Sequence, residues 1–390
     1  MNKSPVLVIG TGHLAYRLKK LLNDHGYTII HLAANIFKLE ENEDSALGTI
    51  ANVLKDVDLT NLSMTYIVDD QDEFNLELII ALISLNQDIH ITASLFNENI
   101  APHLQAAHPN IQVLNPAKIA APIFVEALST PIKHFLRYAP AKRAEESSNW
   151  HPDGLLSALI ILFCALILGT AAYFHIFEHL SWLNAFYFVV VTIATVGYGD
   201  ISLLNSVALT KVVGIGLILG STFFIWMIFS LTVDSIIKKR VQLSLGRKRY
   251  SYKDHVILCG LGRLGYFIAE ELLHRGEKIV IIEMDENSPD IDYFRQRGAS
   301  VYIGNARRLR VLQDAGVMRA KAVISAIGND YTNLEIGLNA RSFDPKLRLI
   351  LRIFDESMSR KIKENLDIHL TFSVTAIADE KFFDILKTTK

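Results

Sequence analysis

Cysteine is almost missing from these 390 residues: Cys164 and Cys259 are the two present. One lies in a long apolar run and the other at the end of an expected buried strand. That excludes a disulfide framework and a thiolate metal cluster, and it suits a reduced setting for the soluble parts. An excess of charge is missing too. With 39 Lys and Arg against 41 Asp and Glu the formal net charge is −2, so no global positive field draws the chain to nucleic acid. The N-terminus lacks the apolar core of a secretory signal and begins a strand by Pro5 instead. Residues 155–177 lack charge of either sign, and at about 1.5 Å per residue they can cross a hydrocarbon core of about 30 Å.

That run is the first of two spans the sequence predicts. The second, 207–237, contains Gly214, Gly216 and Gly220. Between them 182–192 is too short to cross a bilayer and too apolar for a loop, so it is expected to be a re-entrant helix aimed at the segment that follows. Lys133, Arg137, Lys142 and Arg143 precede the first span, and Lys238, Lys239, Arg240, Arg247, Lys248 and Arg249 follow the second. The positive-inside rule then places both termini in the cytoplasm, in a multi-pass protein of the inner (plasma) membrane.

After the short helix comes Thr192-Ile193-Ala194-Thr195-Val196-Gly197-Tyr198-Gly199-Asp200. T-V-G-Y-G is the signature of the potassium-channel selectivity filter, and the assignment is taken from that signature. Stripping water from K⁺ requires a ring of carbonyl dipoles on a narrow axis. Four copies of 195–199 can supply it, with K⁺ held at Thr195, Val196, Gly197 and Tyr198. Gly197 and Gly199 have no Cβ and can take the backbone angles that turn successive carbonyls the same way. Thr195 can add its hydroxyl as the innermost ligand, Tyr198 can brace the filter, and Asp200 sets a carboxylate at the mouth.

Both soluble segments open as strand, glycine turn and helix. Val6-Leu7-Val8-Ile9 leads into Gly10-Thr11-Gly12-His13-Leu14-Ala15, then a helix and a second strand over 28–32. Further strands are expected over 66–68, 89–95 and 111–114, with a helix over 75–85. The second strand ends His31-Leu32-Ala33-Ala34, with no carboxylate for a ribose diol. The C-terminal segment carries the full dinucleotide fingerprint: His255-Val256-Ile257-Leu258-Cys259 runs into Gly260-Leu261-Gly262-Arg263-Leu264-Gly265, and a second strand ends in Glu283. Gly260 makes the tight turn, Gly262 lets a pyrophosphate approach the helix N-terminus, and Gly265 permits close packing. Glu283 can accept both ribose hydroxyls and argues against NADP, and Arg263 can pair with phosphate. Asn305, Ala306 and Ile327 end later strands where adenine and ribose would lie. The ligand expected is NAD(H), or ADP or ATP.

Side by side, the two segments repeat. Gly10, Gly12, Ala15 and Gly26 align with Gly260, Gly262, Gly265 and Gly276 at one offset. After a single change of offset, Asn75-Leu76-Glu77 falls on Asn333-Leu334-Glu335, Phe96 on Phe354, Ala120 on Ala378 and Phe124 on Phe382. Ala33 takes the place of Glu283.

Together these motifs resemble a two-transmembrane prokaryotic potassium channel with RCK (regulator of K⁺ conductance, Trk/Ktr-type nucleotide-binding) domains, one on each side of the pore. The run V-T-I-A-T-V-G-Y-G-D is similar to the calcium-gated type, although that family's calcium sites do not carry over by motif. The resemblance implies a two-span α-helical membrane pore domain with a re-entrant pore helix, flanked by two α/β Rossmann-like (RCK N-lobe) domains. Expected boundaries are 1–138 for a degenerate Rossmann domain, 139–152 linker, 153–240 pore, 241–254 linker and 255–390 for the nucleotide-binding domain. It further implies a homotetramer with a cytoplasmic ring of eight lobes, contact with membrane lipid and no nucleic acid partner. Gly220, in Leu219-Gly220-Ser221-Thr222-Phe223, is similar to the family's gating hinge. The chain is expected not to be an enzyme. The alternatives are a membrane-tethered NAD-dependent oxidoreductase, for which no His, Tyr or Lys has a distinctive proton-transfer setting, and a nucleotide-insensitive K⁺ channel whose Rossmann domains are structural.

Overall fold

The computed structural model describes residues 4–37, 50, 53–54, 57–131, 154–366, 368 and 370–388. They fall into two compact units, one built from the segments on either side of residues 143–244 and the other from 143–244 itself. The expected linker 139–152 lies outside the described residues.

The N-terminal lobe runs β1 (Val6–Ile9), α1 (His13–Asp24), β2 (Ile29–Leu32), β3 (Met64–Ile67), α2 (Asp72–Leu85), β4 (Ile91–Ser94), α3 (Ala101–Ala107), β5 (Ile111–Leu114) and α4 (Pro116–Glu126). Its strands form a parallel sheet in the order β2-β1-β3-β4-β5. Strands β1, β3 and β4 are buried along their whole length, the polar Thr65, Thr92 and Ser94 included, as in a parallel sheet covered on both faces. Asn115 starts α4 by accepting from the N–H groups of Ala117 and Lys118, with Pro116 at the first helical position.

The second unit contains α5 (Gly154–Phe177), α6 (Trp182–Ile193) and α7 (Ala208–Ser244). By length and composition, 156–177 and 208–234 could each cross a membrane. Ser181 caps α6 by accepting from Asn184 N–H at 3.2 Å. Phe174, Ala171, Ala185, Val189 and Leu217 are the buried centre of this unit. Helix α7 continues past the expected boundary at Arg240 to Ser244, because nothing interrupts it before Gly246, which takes a φ of 66°.

The C-terminal lobe runs β6 (Val256–Cys259), α8 (Arg263–His274), β7 (Ile279–Glu283), α9 (Asp290–Gln296), β8 (Ser300–Ile303), α10 (Leu309–Asp314), β9 (Ala322–Ser325), α11 (Asp330–Arg341), β10 (Arg348–Arg352), α12 (Glu356–Leu366), β11 (Leu370–Phe372) and α13 (Val374–Thr388). The parallel order β8-β7-β6-β9-β10-β11 reverses direction of growth at β6. This is the doubly wound dinucleotide-binding order, with its ligand crevice at the carboxyl ends of β6 and β9.

The repeat is visible in buried polar bonds. Asn75 accepts from Asp69 N–H and donates to the carbonyls of Asp69 and Ser94. Asn333 accepts from Ile327 N–H and donates to the carbonyls of Ile327 and Arg352. Asp72 and Asp330 likewise accept from the N–H groups of Phe96 and Asn97, and of Phe354 and Asp355.

Each lobe's last helix completes the other lobe. Ala117, Ala120, Ala121 and Phe124 of α4 share a core with Leu264, Ile268 and Leu272 of α8. Ala378, Phe382, Phe383 and Leu386 of α13 share one with Leu14, Leu18 and Leu22 of α1. Phe124 and Phe382 are both fully buried, and each stabilises the exchange by roughly 1.5–3 kcal/mol of apolar transfer. Tyr66 donates its hydroxyl to Phe382 O at 3.0 Å, and Arg348 donates to the carbonyls of Ala127 and Thr130. Asp379 pairs with Arg17 at 2.9 Å.

Candidate functional sites

The loop after β6 turns at Gly260, where φ is 92°. A Cβ on Gly265 would lie 2.0 Å from Gly260 O, so only glycine lets α8 approach the turn this closely. A Cβ on Gly262 would meet nothing within 4 Å; that face of the loop is open. Glu283, at the end of β7, accepts from Leu261 N–H at 2.6 Å and from the N–H groups of Met284 and Asp285. Its carboxylate is thus fixed beside the loop by three backbone donors.

These groups border a cavity of about 840 Å³. Gly260, Gly262, Arg263, Leu264, Glu283, Asn305, Ala306 and Ile327 line it. Gly265 stands behind the wall and acts by packing. The opposite wall belongs to the N-terminal lobe and includes His13, Asp69, Asp70 and Phe96, none of which the sequence reading had placed in a site.

Across the cavity the lobes clasp each other reciprocally. The Arg263 guanidinium lies 4.1 Å from the centre of the Phe96 ring and donates to Asp70 O at 2.7 Å. His13, the repeat counterpart of Arg263, stacks on Phe354, the counterpart of Phe96, with centroids 5.2 Å apart. Arg263 thus engages the other lobe while also lining the cavity in which phosphate is its expected partner. Arg352, at the end of β10, also lies 4.1 Å over the Phe354 ring. Its Nε is buried without a hydrogen-bond partner, and burial lowers its pKa against the pull of Asp330 and Asp70. It is a cation on the cavity wall with unused donor capacity.

The two glycine loops differ in what covers them. Asp69 Oδ2 accepts from the N–H and the hydroxyl of Thr11 at 3.2 and 3.1 Å. A Cβ on Gly12 would meet both carboxylate oxygens of Asp70, at 3.1 and 3.2 Å.

In the other unit, Thr195, Gly197 and Gly199 take positive φ values of 59°, 56° and 80°. Left-handed backbone at every second residue of T-V-G-Y-G lets successive carbonyls turn toward one side. Val196 and Gly197 donate to Val191 O at the end of α6. Val196, Tyr198 and Asp200 are exposed in the single chain, and a Cβ on Gly197 or Gly199 would meet nothing within 4 Å. Gly220 lies inside unbroken α7, where a Cβ would make ordinary contact with Leu166 at 3.6 Å.

Comparisons with known proteins agree with this division. The ion channel family model matches residues 160–238, and the TrkA-N domain model matches 256–374. An uncharacterised protein of Methanothermus fervidus is 30% identical over 55% of this chain and 35% of its own length. "Probable potassium channel protein 2" of Methanocaldococcus jannaschii is 28% identical over 53% of this chain and 62% of its own. The chain thus spans less than two thirds of either curated relative. The crystal structure of GsuK bound to ADP is similar in fold, with a TM-score of 0.56 and 15% identity over all of this chain and 70% of that one. The chain thus joins a segment that matches the ion channel model to one of Rossmann-like fold that matches the TrkA-N domain model.

Proposed function

We propose that the chain is a K⁺-selective channel that assembles as a homotetramer and is gated by an adenine nucleotide bound between its two Rossmann-like lobes. The observation that carries this reading is the alternation of left-handed residues through Thr195, Gly197 and Gly199 at the end of an apolar helix. One such segment cannot surround an ion; four can, and four chains would cover the exposed Val196 and Tyr198. In this reading 153–240 is the pore, α6 re-enters the bilayer to aim at the filter, and both termini are cytoplasmic. The likeness of the matched relatives to potassium channels supports it.

The nucleotide is NAD(H), ADP or ATP, held by Gly260, Gly262 and Glu283, with Gly265 keeping the loop closely packed. Its phosphates meet the N-terminus of α8, where backbone N–H groups and the helix dipole favour an anion. Arg352 supplies a cation on the cavity wall. The N-terminal lobe acts as the RCK partner, giving eight lobes per tetramer. Gating follows if nucleotide fits the closed and open arrangements of the lobes unequally, with α7 carrying the difference to a bend at Gly220.

The test is K⁺ flux from liposomes containing the purified chain, against a panel of NAD⁺, NADH, ADP and ATP. Flux should be K⁺-selective, disappear in Gly199→Val, and respond to at least one nucleotide in a manner abolished by Gly262→Val. Equal Na⁺ and K⁺ permeability would overturn the channel reading. Nucleotide-independent flux would leave the lobes a structural role.

A further inference from the structure

We infer that the N-terminal glycine loop is closed to phosphate by the chain's own carboxylates, Asp69 and Asp70, so that the cavity takes one nucleotide per chain and takes it at the Gly260 loop. The inference rests on the cavity being a nucleotide site and adds its stoichiometry and the residues that set it.

Both loops have the same backbone plan. Gly10 and Gly260 each turn with positive φ, and α1 and α8 each start one residue after the second glycine. At such a loop the N–H groups and the bare face of the second glycine are what a phosphate uses. In the N-terminal lobe one of these N–H groups and that face are already taken. Asp69 Oδ2 holds Thr11 N–H and the Thr11 hydroxyl, and the Asp70 carboxylate lies against the face of Gly12. A resident anion thus stands at the N-terminus of α1, where it also complements the helix dipole. A phosphate arriving there would have to displace one carboxylate and sit beside another, against like-charge repulsion in a partly enclosed space.

The buried asparagines fix which residues correspond in the other lobe. Asn75 brackets the backbone of Asp69 as Asn333 brackets that of Ile327, so Asp69 and Asp70 stand where the C-terminal lobe has Ile327 and Gly328. Neither of those carries charge, and the face of Gly262 is open. Leu261 N–H, the counterpart of Thr11 N–H, is likewise taken, by Glu283, so the two loops differ at the face of the second glycine and in the charge of the residues that stand over it. Two substitutions at one strand end therefore convert a symmetric pair of loops into one anion-accepting and one anion-refusing half.

Calorimetry on the purified full-length protein, with ADP as the probe, tests this. The unmodified chain should bind one ADP, and Gly262→Val should bind none. Asp69→Ile with Asp70→Gly, which transplants the C-terminal pair, should raise the stoichiometry toward two, with the added site at least ~10-fold weaker because Ala33 offers no carboxylate to ribose. The same pair in the Gly262→Val background should bind one. Asp70→Gly alone, which bares the face of Gly12, should show the gain if the larger change disturbs folding. Two ADP per unmodified chain would overturn the inference while leaving the nucleotide reading intact. One ADP in every folded carboxylate variant would overturn it too. No ADP on the unmodified chain would defeat the nucleotide reading; gain of binding in the Asp variants would still support closure by carboxylate, and its absence would overturn that as well.

Discussion

The two Rossmann-like lobes make a controlled comparison inside one molecule. They share the glycine turn, the first helix, the buried Asn and the Asp that collects two N–H groups, yet the residues over the turn are Asp69-Asp70 in one and Ile327-Gly328 in the other. They differ again where Ala33 replaces Glu283 and Ala15 replaces Gly265. A fold is thus retained by its packing and hydrogen-bonding positions while a handful of positions around the crevice set what it accepts.

The largest expected effect probes what the lobes have in common. Phe124→Ala and Phe382→Ala occupy equivalent, fully buried places in the exchanged helices, and each should cost about 3–5 kcal/mol in denaturant unfolding. A large difference between them would break the equivalence. Next comes the third glycine. Gly265→Ala forces a Cβ against Gly260 O and should cost about 1–3 kcal/mol and weaken nucleotide binding. Ala15→Gly should cost only about 0.5–1 kcal/mol, the helix-interior penalty; equal losses would show that the turns are interchangeable.

Glu283→Ala should weaken ADP binding about 10- to 100-fold, the loss of hydrogen bonds to a charged acceptor. Ala33→Glu alone should add no site while Asp69 and Asp70 remain, and calorimetry on both variants checks the pair. The smallest effect concerns His255, whose counterpart in the repeat is Pro5. His255 donates through Nε2 to Ala315 O at 2.9 Å, and its Nδ1 is buried without a partner. Burial lowers its pKa below the ordinary 6.5. The folded state then binds fewer protons than the unfolded one, so its stability is full above about pH 6.5 and falls as pH drops below it. Urea unfolding of His255→Gln should show a flatter acid limb than the parent.

Much of this was readable from residues alone. Apolar runs ending in Gly-x-Gly placed β1 and β6 within a residue, and the charge-free stretch placed α5. The match of Phe96 to Phe354 and Phe124 to Phe382 predicted a common fold. Periodicity carries no information about which surface meets which, so the reciprocal stacking of Arg263 on Phe96 and His13 on Phe354 was out of reach. A motif describes one lobe at a time, so it offers phosphate for Arg263 and gives no sign of Phe96 or the Asp70 carbonyl beside it. Asp69 and Asp70 escaped notice because nothing in a lone Asp-Asp at a strand end says that it faces a glycine loop more than fifty residues earlier in the chain. Arg352 was hidden likewise at the end of an ordinary buried strand.

The exchange of last helices also sets an order of events during synthesis. The core of the N-terminal lobe includes Ala378, Phe382, Phe383 and Leu386, which emerge from the ribosome after both long apolar helices have been made. That lobe must therefore wait, with the apolar face of α1 uncovered, while the intervening helices are inserted into the bilayer. Domains that close on themselves can fold as they appear; this one closes only when α13 arrives, so lobe pairing doubles as a check that the chain between them has been completed.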